Sequence, residues 1–362
     1  MTNSKKRILV IDDSAFMRRA VCDIINSDNR YEVTDYAKDG LDALEKLAKS
    51  DFDVIILDYN MPNMDGLELL QELKKDKRSI PVIMCSTETK EGAEVTLKAM
   101  ELGAVDFVTK PEGLFDMKGD RFKTKMLEIM GAVTDKNSSK SSFPISRSGT
   151  ADGGLKKRGK GFISHTAKAS GNKIICLASS TGGPKALHEV IPRLDSNMDA
   201  PMVLVQHMPA GFTSTMAQRL DEVSKVNVKE AEEGDVLAKG TVYIAPGGKH
   251  MEIVNSGGAC KVHLSDAPPI GALRPCANVT YKSLIKSPYD SVVCVVLTGM
   301  GADGTEGILE LEKSKPVYVI SQTADTCVVY GMPKAIAESG ACDEVVPLDK
   351  VADAIMKNVG VK

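Results

Sequence analysis

The segment ILVIDDSAFMRR, residues 8–19, joins a short apolar run directly to two adjacent aspartates. An apolar run of this length predicts a buried strand that ends in a polar loop. Four similar runs follow along the chain, and amphipathic stretches such as residues 41–49 and 66–75 lie between them. This alternation predicts repeated βα units around a doubly wound parallel sheet. The five candidate strands are residues 8–11, 31–36, 54–57, 81–85 and 106–108.

The pattern changes over residues 135–172, where Ser, Gly, Lys and Arg dominate and predict a flexible linker. Strand patterns return at residue 173 and alternate with helical ones, which predicts a second α/β domain with a mostly parallel sheet. A terminal helix is expected over residues 350–358. We therefore expect a front domain over residues 1–134 and a back domain over residues 173–362. The candidate strands of the back domain are residues 174–178, 202–206, 241–245, 260–264, 291–297 and 316–321.

Composition narrows the class of protein. The chain has 362 residues, which is more than one hydrophobic core usually holds, and 43% of them are hydrophobic. A formal net charge of −3 provides no large basic field, so neither a nucleic-acid partner nor direct membrane insertion is indicated. No apolar run reaches the roughly 18 residues that span a bilayer. The eight cysteines lack CxxC spacing, which is typical of reduced thiols in a cytoplasmic protein.

Polar residues with complementary chemistry follow four of the front strands. Asp12 and Asp13 follow the first strand, Asp58 the third, Ser86 the fourth and Lys110 the fifth. The carboxyl ends of neighbouring parallel strands share one crevice, so we expect these side chains to converge. Clustered carboxylates favour a hard cation such as Mg²⁺, and a lysine with a hydroxyl suits phosphoryl oxygens. The alternative is that each residue is an ordinary turn or helix-cap residue.

The stretch IICLASSTGGPKALHEV, residues 174–190, predicts a buried strand, a tight turn of small residues and a helix that opens near Pro184. A serine in such a turn faces a helix N-terminus, where free N–H groups can stabilise an oxyanion. The order of strand, serine and helix is that of the GxSxG nucleophile elbow, although the residues here read Ala-Ser-Ser-Thr-Gly. A plain helix N-cap is the alternative interpretation.

A nucleophilic serine needs a base, and His207 is the one histidine of five that directly follows a buried strand, in MVLVQHMP, residues 202–209. It should emerge at the same sheet edge as Ser180. Asp303 lies in VVCVVLTGMGADG, residues 292–304, in a glycine-rich loop after another apolar strand, and could orient the imidazole. A buried structural histidine and a turn aspartate are the alternatives for these two residues.

Four blocks of the front domain resemble response-regulator receivers: VIDDSAFMRR, ILDYNMPNMDGLELL, VIMCSTETKEG and DFVTKP. The resemblance covers residues 5–125 and implies a flavodoxin-like fold with Asp58 as the phosphoacceptor. Phe107 would be the switch aromatic, and an ordinary core position for it stays open. The implied Mg²⁺ ligands are Asp12, Asp13, Asp58 and the main-chain carbonyl of Asn60, and the implied phosphate partners are Ser86 and Lys110.

The back domain resembles the CheB family of chemotaxis protein-glutamate methylesterases over residues 172–358. The blocks that carry this resemblance are LASSTGGP, VLVQHMPAGFT, YIAPGGKHM, VVLTGMGADGTEG and VVYGMP. The resemblance implies Ser180 as nucleophile, His207 as base and Asp303 as the residue that orients it. It also places Thr181 and the Met300 loop beside the reacting carbonyl. The implied esterase chemistry needs no cofactor.

One block departs from the family. GALRPCANV, residues 271–279, stands where His-Arg-Pro-Ser-Val-Asp is more usual, so Leu273, Cys276 and Asn278 differ. Arg274 and Pro275 are retained. The departure leaves the substrate contacts of this region open.

The implied activity is hydrolysis of glutamate γ-methyl esters, with glutamine deamidation as a second reaction, on methyl-accepting chemotaxis receptors. The implied phosphodonor is the chemotaxis histidine kinase. We expect phosphorylation of Asp58 to relieve inhibition of the esterase by the receiver. Two other classes compete: a phosphorylation-dependent binding module without catalysis, and a DNA-binding response regulator. The second would require a basic recognition helix, which the back domain lacks.

Overall fold

The computed structural model describes residues 4–87, 89–110, 120–134 and 171–360. These residues fall into two compact units, one within residues 1–136 and the other within 137–362. Each unit is an α/β domain, as the sequence predicts. Nearly all of the predicted linker, residues 135–172, lies outside the described residues, so its flexibility stays a prediction. No helix among the described residues is long and apolar enough to cross a membrane.

The front unit is a five-stranded, fully parallel sheet in the order β2-β1-β3-β4-β5, which is the predicted doubly wound topology. All five predicted strands are present, and their bounds differ from the prediction by one or two residues. The strands are β1 Lys6–Ile11, β2 Tyr31–Ala37, β3 Val54–Asp58, β4 Val82–Ser86 and β5 Asp106–Thr109, and the helices are α1 Ala15–Asn26, α2 Gly40–Lys49, α3 Gly66–Lys75, α4 Lys90–Leu102 and α5 Asp120–Thr134.

Side-chain caps begin four of the front helices directly after the strand-end loops. Ser14 accepts a hydrogen bond from the Met17 N–H and begins α1, and Asp39 and Thr89 cap α2 and α4 in the same way. Asp65 forms a capping box at the start of α3. Asp39 and Asp65 are therefore cap residues, whereas Asp12 and Asp58 lie at strand ends.

The back unit has a seven-stranded sheet in the order β14-β13-β12-β6-β7-β9-β8, and every strand pair in it is parallel. An antiparallel hairpin of β10 and β11 is separate from it. The strands are β6 Lys173–Ser179, β7 Met202–Gln206, β8 Asn227–Glu230, β9 Thr241–Ile244, β10 His250–Ser256, β11 Ala259–Ser265, β12 Ser291–Val296, β13 Val317–Gln322 and β14 Glu344–Val346, and the helices are α6 Gly183–Val190, α7 Phe212–Val223, α8 Ala277–Ser283, α9 Thr305–Glu312, α10 Met332–Ser339 and α11 Val351–Val359.

The strand order of the back sheet reverses between β6 and β12. In open parallel sheets, ligand sites lie beyond the carboxyl ends of the strands at such a reversal. The buried Tyr281 hydroxyl of α8 shares its one proton between the carbonyl oxygens of Cys176 and Val295, which ties this helix to both central strands. At the other, amino-terminal end of β6, Lys173 Nζ donates to the Asn358 carbonyl oxygen at 2.5 Å, so the start of β6 contacts α11.

Candidate active site and acidic pocket

The three acidic residues predicted for the front unit meet at the carboxyl ends of β1 and β3. One carboxylate oxygen from each of Asp12, Asp13 and Asp58 lies within 4.8 Å of the others. Asp12 and Asp58 are buried, whereas Asp13 is exposed. The two neighbouring strands are those between which the sheet order reverses, which explains why their ends form one crevice.

Lys110 places its ammonium group between the two buried carboxylates. Its Nζ lies 2.9 Å from Asp12 Oδ2 and 2.8 Å from Asp58 Oδ1. Burial on its own would lower the pKa of Lys110, but the charges of Asp58 and Asp12 outweigh it and raise the pKa. Burial also raises the pKa of Asp58, although the Lys110 ammonium opposes the increase. Lys110 is therefore a protonated counter-ion of this pocket.

The donor set of the pocket fits Mg²⁺. Three carboxylates face one another beside the ammonium of Lys110. Mg²⁺ binds through one or two carboxylates while it keeps waters and phosphate oxygens. Asn60 is exposed two residues after Asp58, where its main-chain carbonyl was predicted to be a ligand. That role stays a prediction.

The predicted phosphate partner Ser86 is hydrogen-bonded to other residues of the front unit, and the predicted switch aromatic Phe107 is buried. Ser86 Oγ accepts a 2.6 Å hydrogen bond from Thr96 Oγ1 and donates to the Gly92 carbonyl oxygen at 3.1 Å, so it is bonded to α4. A contact with phosphate would require Ser86 to exchange these partners. Phe107 is 7% exposed, which agrees with the alternative of a core position. Neither switch role is tested by this geometry.

The serine turn of the back unit has the predicted order of strand, turn and helix. β6 ends at Ser179, and α6 begins at Gly183 with a proline in its first turn. The Ser180 N–H donates to the Thr298 carbonyl oxygen at 3.0 Å, which fixes the turn to the end of β12. Gly182 has φ +77°, and a Cβ there would lie 2.5 Å from Val328. Only glycine fits this conformation and this space.

The two serines of the turn differ in their surroundings. Ser179 is completely buried, and its Oγ donates to Gln206 Oε1 at 2.7 Å. Ser180 is 7% exposed. The Ser179 hydroxyl is therefore occupied by a structural hydrogen bond, which favours Ser180 as the reactive serine.

His207 and Asp303 lie in hydrogen-bond contact at the same sheet edge. His207 Nε2 is 2.8 Å from Asp303 Oδ2, and both side chains are less than a tenth exposed. Burial on its own would raise the pKa of Asp303, but the hydrogen bond and charge of His207 and the N–H groups of Ala277 and Asn278 lower it to about 2. Asp303 is therefore a carboxylate at neutral pH. Because Nε2 faces it, Nδ1 is the imidazole nitrogen left for another partner.

Three residues of the departing block, Cys276, Ala277 and Asn278, donate hydrogen bonds to Asp303, a contact that was not predicted. Asp303 Oδ1 accepts from Cys276 Sγ at 3.2 Å and from the Asn278 N–H at 3.0 Å, and Oδ2 accepts from the Ala277 N–H at 2.6 Å. Burial and the Asp303 charge raise the pKa of Cys276 to about 12, so its thiol is protonated and can donate. Asn278 Oδ1 also accepts from the Gly304 N–H at 3.1 Å. The departure thus concerns the supports of Asp303.

The Gly299–Met300 loop and Thr181 lie beside Ser180. A Cβ on Gly299 would lie 2.9 Å from Ser180 Cβ, so this loop passes directly against the serine. The Thr181 carbonyl oxygen accepts from Thr298 Oγ1 at 2.9 Å. Its own Oγ1 is buried and makes no hydrogen bond to any part of the chain that the structure describes. Thr181 and this loop thus lie beside Ser180, and the role of Thr181 and Met300 next to the reacting carbonyl stays a prediction.

Gln206 is a further polar residue of the site that the sequence interpretation missed. It is the last residue of β7, is 2% exposed, and directly precedes His207. Its amide contacts both serines of the turn. The available signal was a glutamine inside an otherwise apolar strand, because a buried amide must find partners for its donors and its acceptor.

Residues 175–355 match the CheB methylesterase family, and residues 8–118 match the response regulator receiver domain family. A Geobacillus kaustophilus protein named protein-glutamate methylesterase/protein-glutamine glutaminase is 40% identical over 354 residues, which are 98% of this chain and 99% of that protein. The Bacillus subtilis protein of the same name is 37% identical over 349 residues, 96% of this chain and 97% of its own length.

Among solved structures, the CheB methylesterase catalytic domain of Thermotoga maritima is similar to the back unit. It is 41% identical with a TM-score of 0.50, and the match covers 51% of this chain and 98% of that domain. The similarity to the sequence relatives extends over both units in one order, receiver first and esterase second.

Proposed function

This chain belongs to the CheB methylesterase family, and on that premise we propose that it hydrolyses glutamate γ-methyl esters on chemotaxis receptors by a Ser-His-Asp mechanism that phosphorylation of its receiver activates. As a protein-glutamate methylesterase it cleaves a carboxylic ester and releases methanol. The relatives are also named protein-glutamine glutaminases, and the same chemistry on a glutamine amide would release ammonia. The observation that carries the mechanism is the His207–Asp303 hydrogen bond beside the serine turn.

In the proposed reaction Ser180 Oγ attacks the ester carbonyl while His207 accepts its proton. Since Asp303 faces Nε2, the accepting nitrogen is Nδ1, whereas in the usual serine-protease triad it is Nε2. The Asp303 carboxylate holds the imidazole in the required tautomer and stabilises the imidazolium. His207 then returns the proton to the departing methoxide, and water attacks the acyl-enzyme by the reverse of these steps.

In the proposed control, Asp58 accepts a phosphoryl group from the chemotaxis histidine kinase. Mg²⁺ bound by Asp12, Asp13 and Asp58 would supply charge for the phosphoryl oxygens. Lys110 already lies 2.8 Å from Asp58 and would pair with the new phosphate. The charge added at Asp58 rearranges the receiver, and this change relieves the inhibition that the receiver exerts on the esterase. The proposed linker, residues 135–172, joins the two domains.

The test is methanol release from methylated receptor membranes with and without a small phosphodonor. The wild type should release methanol faster with the phosphodonor, and Asp58→Ala should remain at the basal rate. A fragment that begins at Gly171 should be active without it. If that fragment is no faster than the unphosphorylated full chain, relief of inhibition is wrong and the receiver acts by positive contacts.

Ser180→Ala and Ser179→Ala form a matched pair for the nucleophile. Ser180→Ala should lower methanol release by several orders of magnitude, because nucleophile and base act as a unit. Ser179→Ala should keep most of the activity, since it removes only one of the hydrogen bonds of Gln206. The opposite ranking would move the nucleophile by one residue. No methanol from the wild type would reject the esterase proposal and favour a binding module.

A further inference from the structure

Gln206 links the main chains of the proposed nucleophile and base through one buried amide. Its Nε2 donates to the Ser180 carbonyl oxygen at 2.9 Å and to the His207 carbonyl oxygen at 3.3 Å. Its Oε1 accepts from Ser179 Oγ at 2.7 Å. β6 and β7 are paired so that Ser179 is opposite Gln206, which places the amide against the turn. The donors and the acceptor of this amide are thus used within the site.

The turn is built to admit this amide. A Cβ on Gly183 would lie 1.9 Å from Gln206 Oε1, so any larger residue at position 183 would displace the glutamine. The Gly183 N–H itself donates to the Ser180 carbonyl oxygen at 2.7 Å. That carbonyl therefore accepts two hydrogen bonds, one from the first residue of α6 and one from β7, and its direction is determined from both sides.

The direction of the Ser180 carbonyl determines that of the next N–H group. A trans peptide is planar, so the Thr181 N–H points opposite to the Ser180 C=O and therefore away from Gln206. The hydrogen bonds between described residues include none donated by this N–H. Thr181 is 2% exposed, and a buried N–H without a partner is uncommon in a folded protein. An N–H held in this way on the residue after a nucleophile is suited to an oxyanion.

We propose that Gln206 is a positioning residue that fixes the Ser180–Thr181 peptide so that the Thr181 N–H is presented to the carbonyl oxygen of the ester. This inference rests on the proposed function, since it assumes that Ser180 attacks a carbonyl. The oxygen becomes negatively charged only in the transition state, so a fixed donor there stabilises the transition state more than the bound ester. Gln206 should therefore affect kcat more than KM.

Two substitutions separate this role from general packing. Gln206→Met keeps the length and burial of the side chain but loses every hydrogen bond. Gln206→Glu keeps the acceptor for Ser179 Oγ, but its ionised form has no donor for the Ser180 carbonyl oxygen. When the new carboxyl is protonated, its O–H can donate to that oxygen. Burial favours the protonated form of such a carboxyl as the pH falls.

The experiment measures kcat and KM for methanol release from methylated receptor, and the unfolding temperature of each full-length variant. We expect Gln206→Met to lower kcat by about 100-fold with little change in KM. For Gln206→Glu, the ratio of its kcat to that of the wild type should rise as the pH is lowered from ~8 to ~6. His207, next to position 206 along the chain, and Asp303, its hydrogen-bond partner, are titratable groups of this site that both proteins contain.

Asn358→Asp is the matched control. Asn358 is a 2% exposed amide on α11 whose Nδ2 donates to the Ala354 carbonyl oxygen at 2.8 Å, so the substitution also replaces a buried amide donor by a carboxyl. It should lower the unfolding temperature, while the ratio of its kcat to that of the wild type stays flat with pH. A flat ratio for Gln206→Glu would overturn the inference even if Gln206→Met failed to fold. So would a raised KM with unchanged kcat in either Gln206 variant. Absence of methanol release by the wild type would instead reject the proposed function.

Discussion

Asp303→Asn changes the hydrogen-bond capacity of the site without changing its size. In the wild type Oδ2 faces His207, whereas Oδ1 accepts from the Cys276 thiol and from the N–H groups of Asn278 and Gly304. An asparagine has one oxygen and can serve only one of these sets. We expect that oxygen to take the side with three donors, which leaves the NH₂ group facing His207.

The expected loss of activity follows from the imidazole tautomer. An NH₂ group opposite Nε2 requires a lone pair there, so the ring proton moves to Nδ1. In the proposed mechanism His207 can then no longer accept the proton of Ser180. Removing the carboxylate of a Ser-His-Asp triad in this way lowers kcat about 10⁴-fold, which corresponds to about 5 kcal/mol of transition-state stabilisation. The Ala277 N–H, now without its acceptor, costs about 1–3 kcal/mol of folding stability.

The assay is steady-state methanol release from methylated receptor, with kcat and KM determined separately and Tm measured for the same samples. We expect kcat to fall about 10⁴-fold while KM changes little. We expect Tm to fall by roughly 2–4 °C for each kcal/mol lost. Asp353→Asn, at a side chain that is 73% exposed on α11, should leave kcat, KM and Tm near the wild-type values.

A kcat within about tenfold of the wild type would refute this reasoning, because a wrong tautomer cannot be that active. It would mean that Asp303 serves mainly to fix the loop, and that the proton leaves Ser180 by another route. A large rise in KM with unchanged kcat would also contradict the assignment, since it would place Asp303 in substrate binding.

Three further predictions concern charges and donors described above. Lys110→Met leaves the carboxylates of Asp12 and Asp58 without their counter-ion, so we expect urea unfolding to show the receiver's free energy of unfolding lowered by about 3 kcal/mol. Added Mg²⁺ should partly restore it. An unchanged unfolding midpoint would contradict this prediction. Cys276→Ala should lower kcat about 2–10-fold through the lost donor to Asp303, and Cys276→Ser should retain the wild-type kcat; equal effects of the two substitutions would assign the thiol to packing alone. The pKa of Asp303 is lowered from 3.8 to about 2, so its carboxylate contributes about 2 kcal/mol of folding stability above pH ~4. This contribution is lost as the pH falls towards 2. When Tm is measured against pH, the advantage of the wild type over Asp303→Asn should therefore shrink in that window.

The sequence predicts the site residues that stand directly at strand ends. Asp12, Asp58, Ser180 and His207 each follow an apolar run, and chain polarity alone then places them at the carboxyl edge of a parallel sheet. β7 and α3 are found with the predicted bounds, because β7 is a continuous apolar run and the apolar residues of α3 recur three and four positions apart. The short edge strands β8 and β14 escape prediction, since NVKE and EVV lack the apolar length that a buried strand shows.

The supports of the site depend on contacts that local patterns do not contain. Cys276 and Asn278 meet Asp303 because the start of α8 packs against the loop after β12, a contact between residues 25 to 27 positions apart. Gln206 reads as one more residue of a strand, and only the pairing of β6 with β7 shows that its amide contacts the serine turn. Predicting such supporting residues requires the tertiary structure, whereas the reactive residues can be predicted from the positions of the strand ends.

The contact between Lys173 Nζ and the Asn358 carbonyl oxygen bears on how domains can be joined to the esterase. The first strand and the last helix of the back unit come within the reach of one lysine side chain. A partner attached at either end would therefore start from nearly the same place on the surface. Circularly permuted versions, or fusions that carry the receiver behind the esterase, are geometrically open to this unit. Such rearranged chains would reveal whether the proposed regulation depends on the order of the two domains in the chain or only on their being tethered.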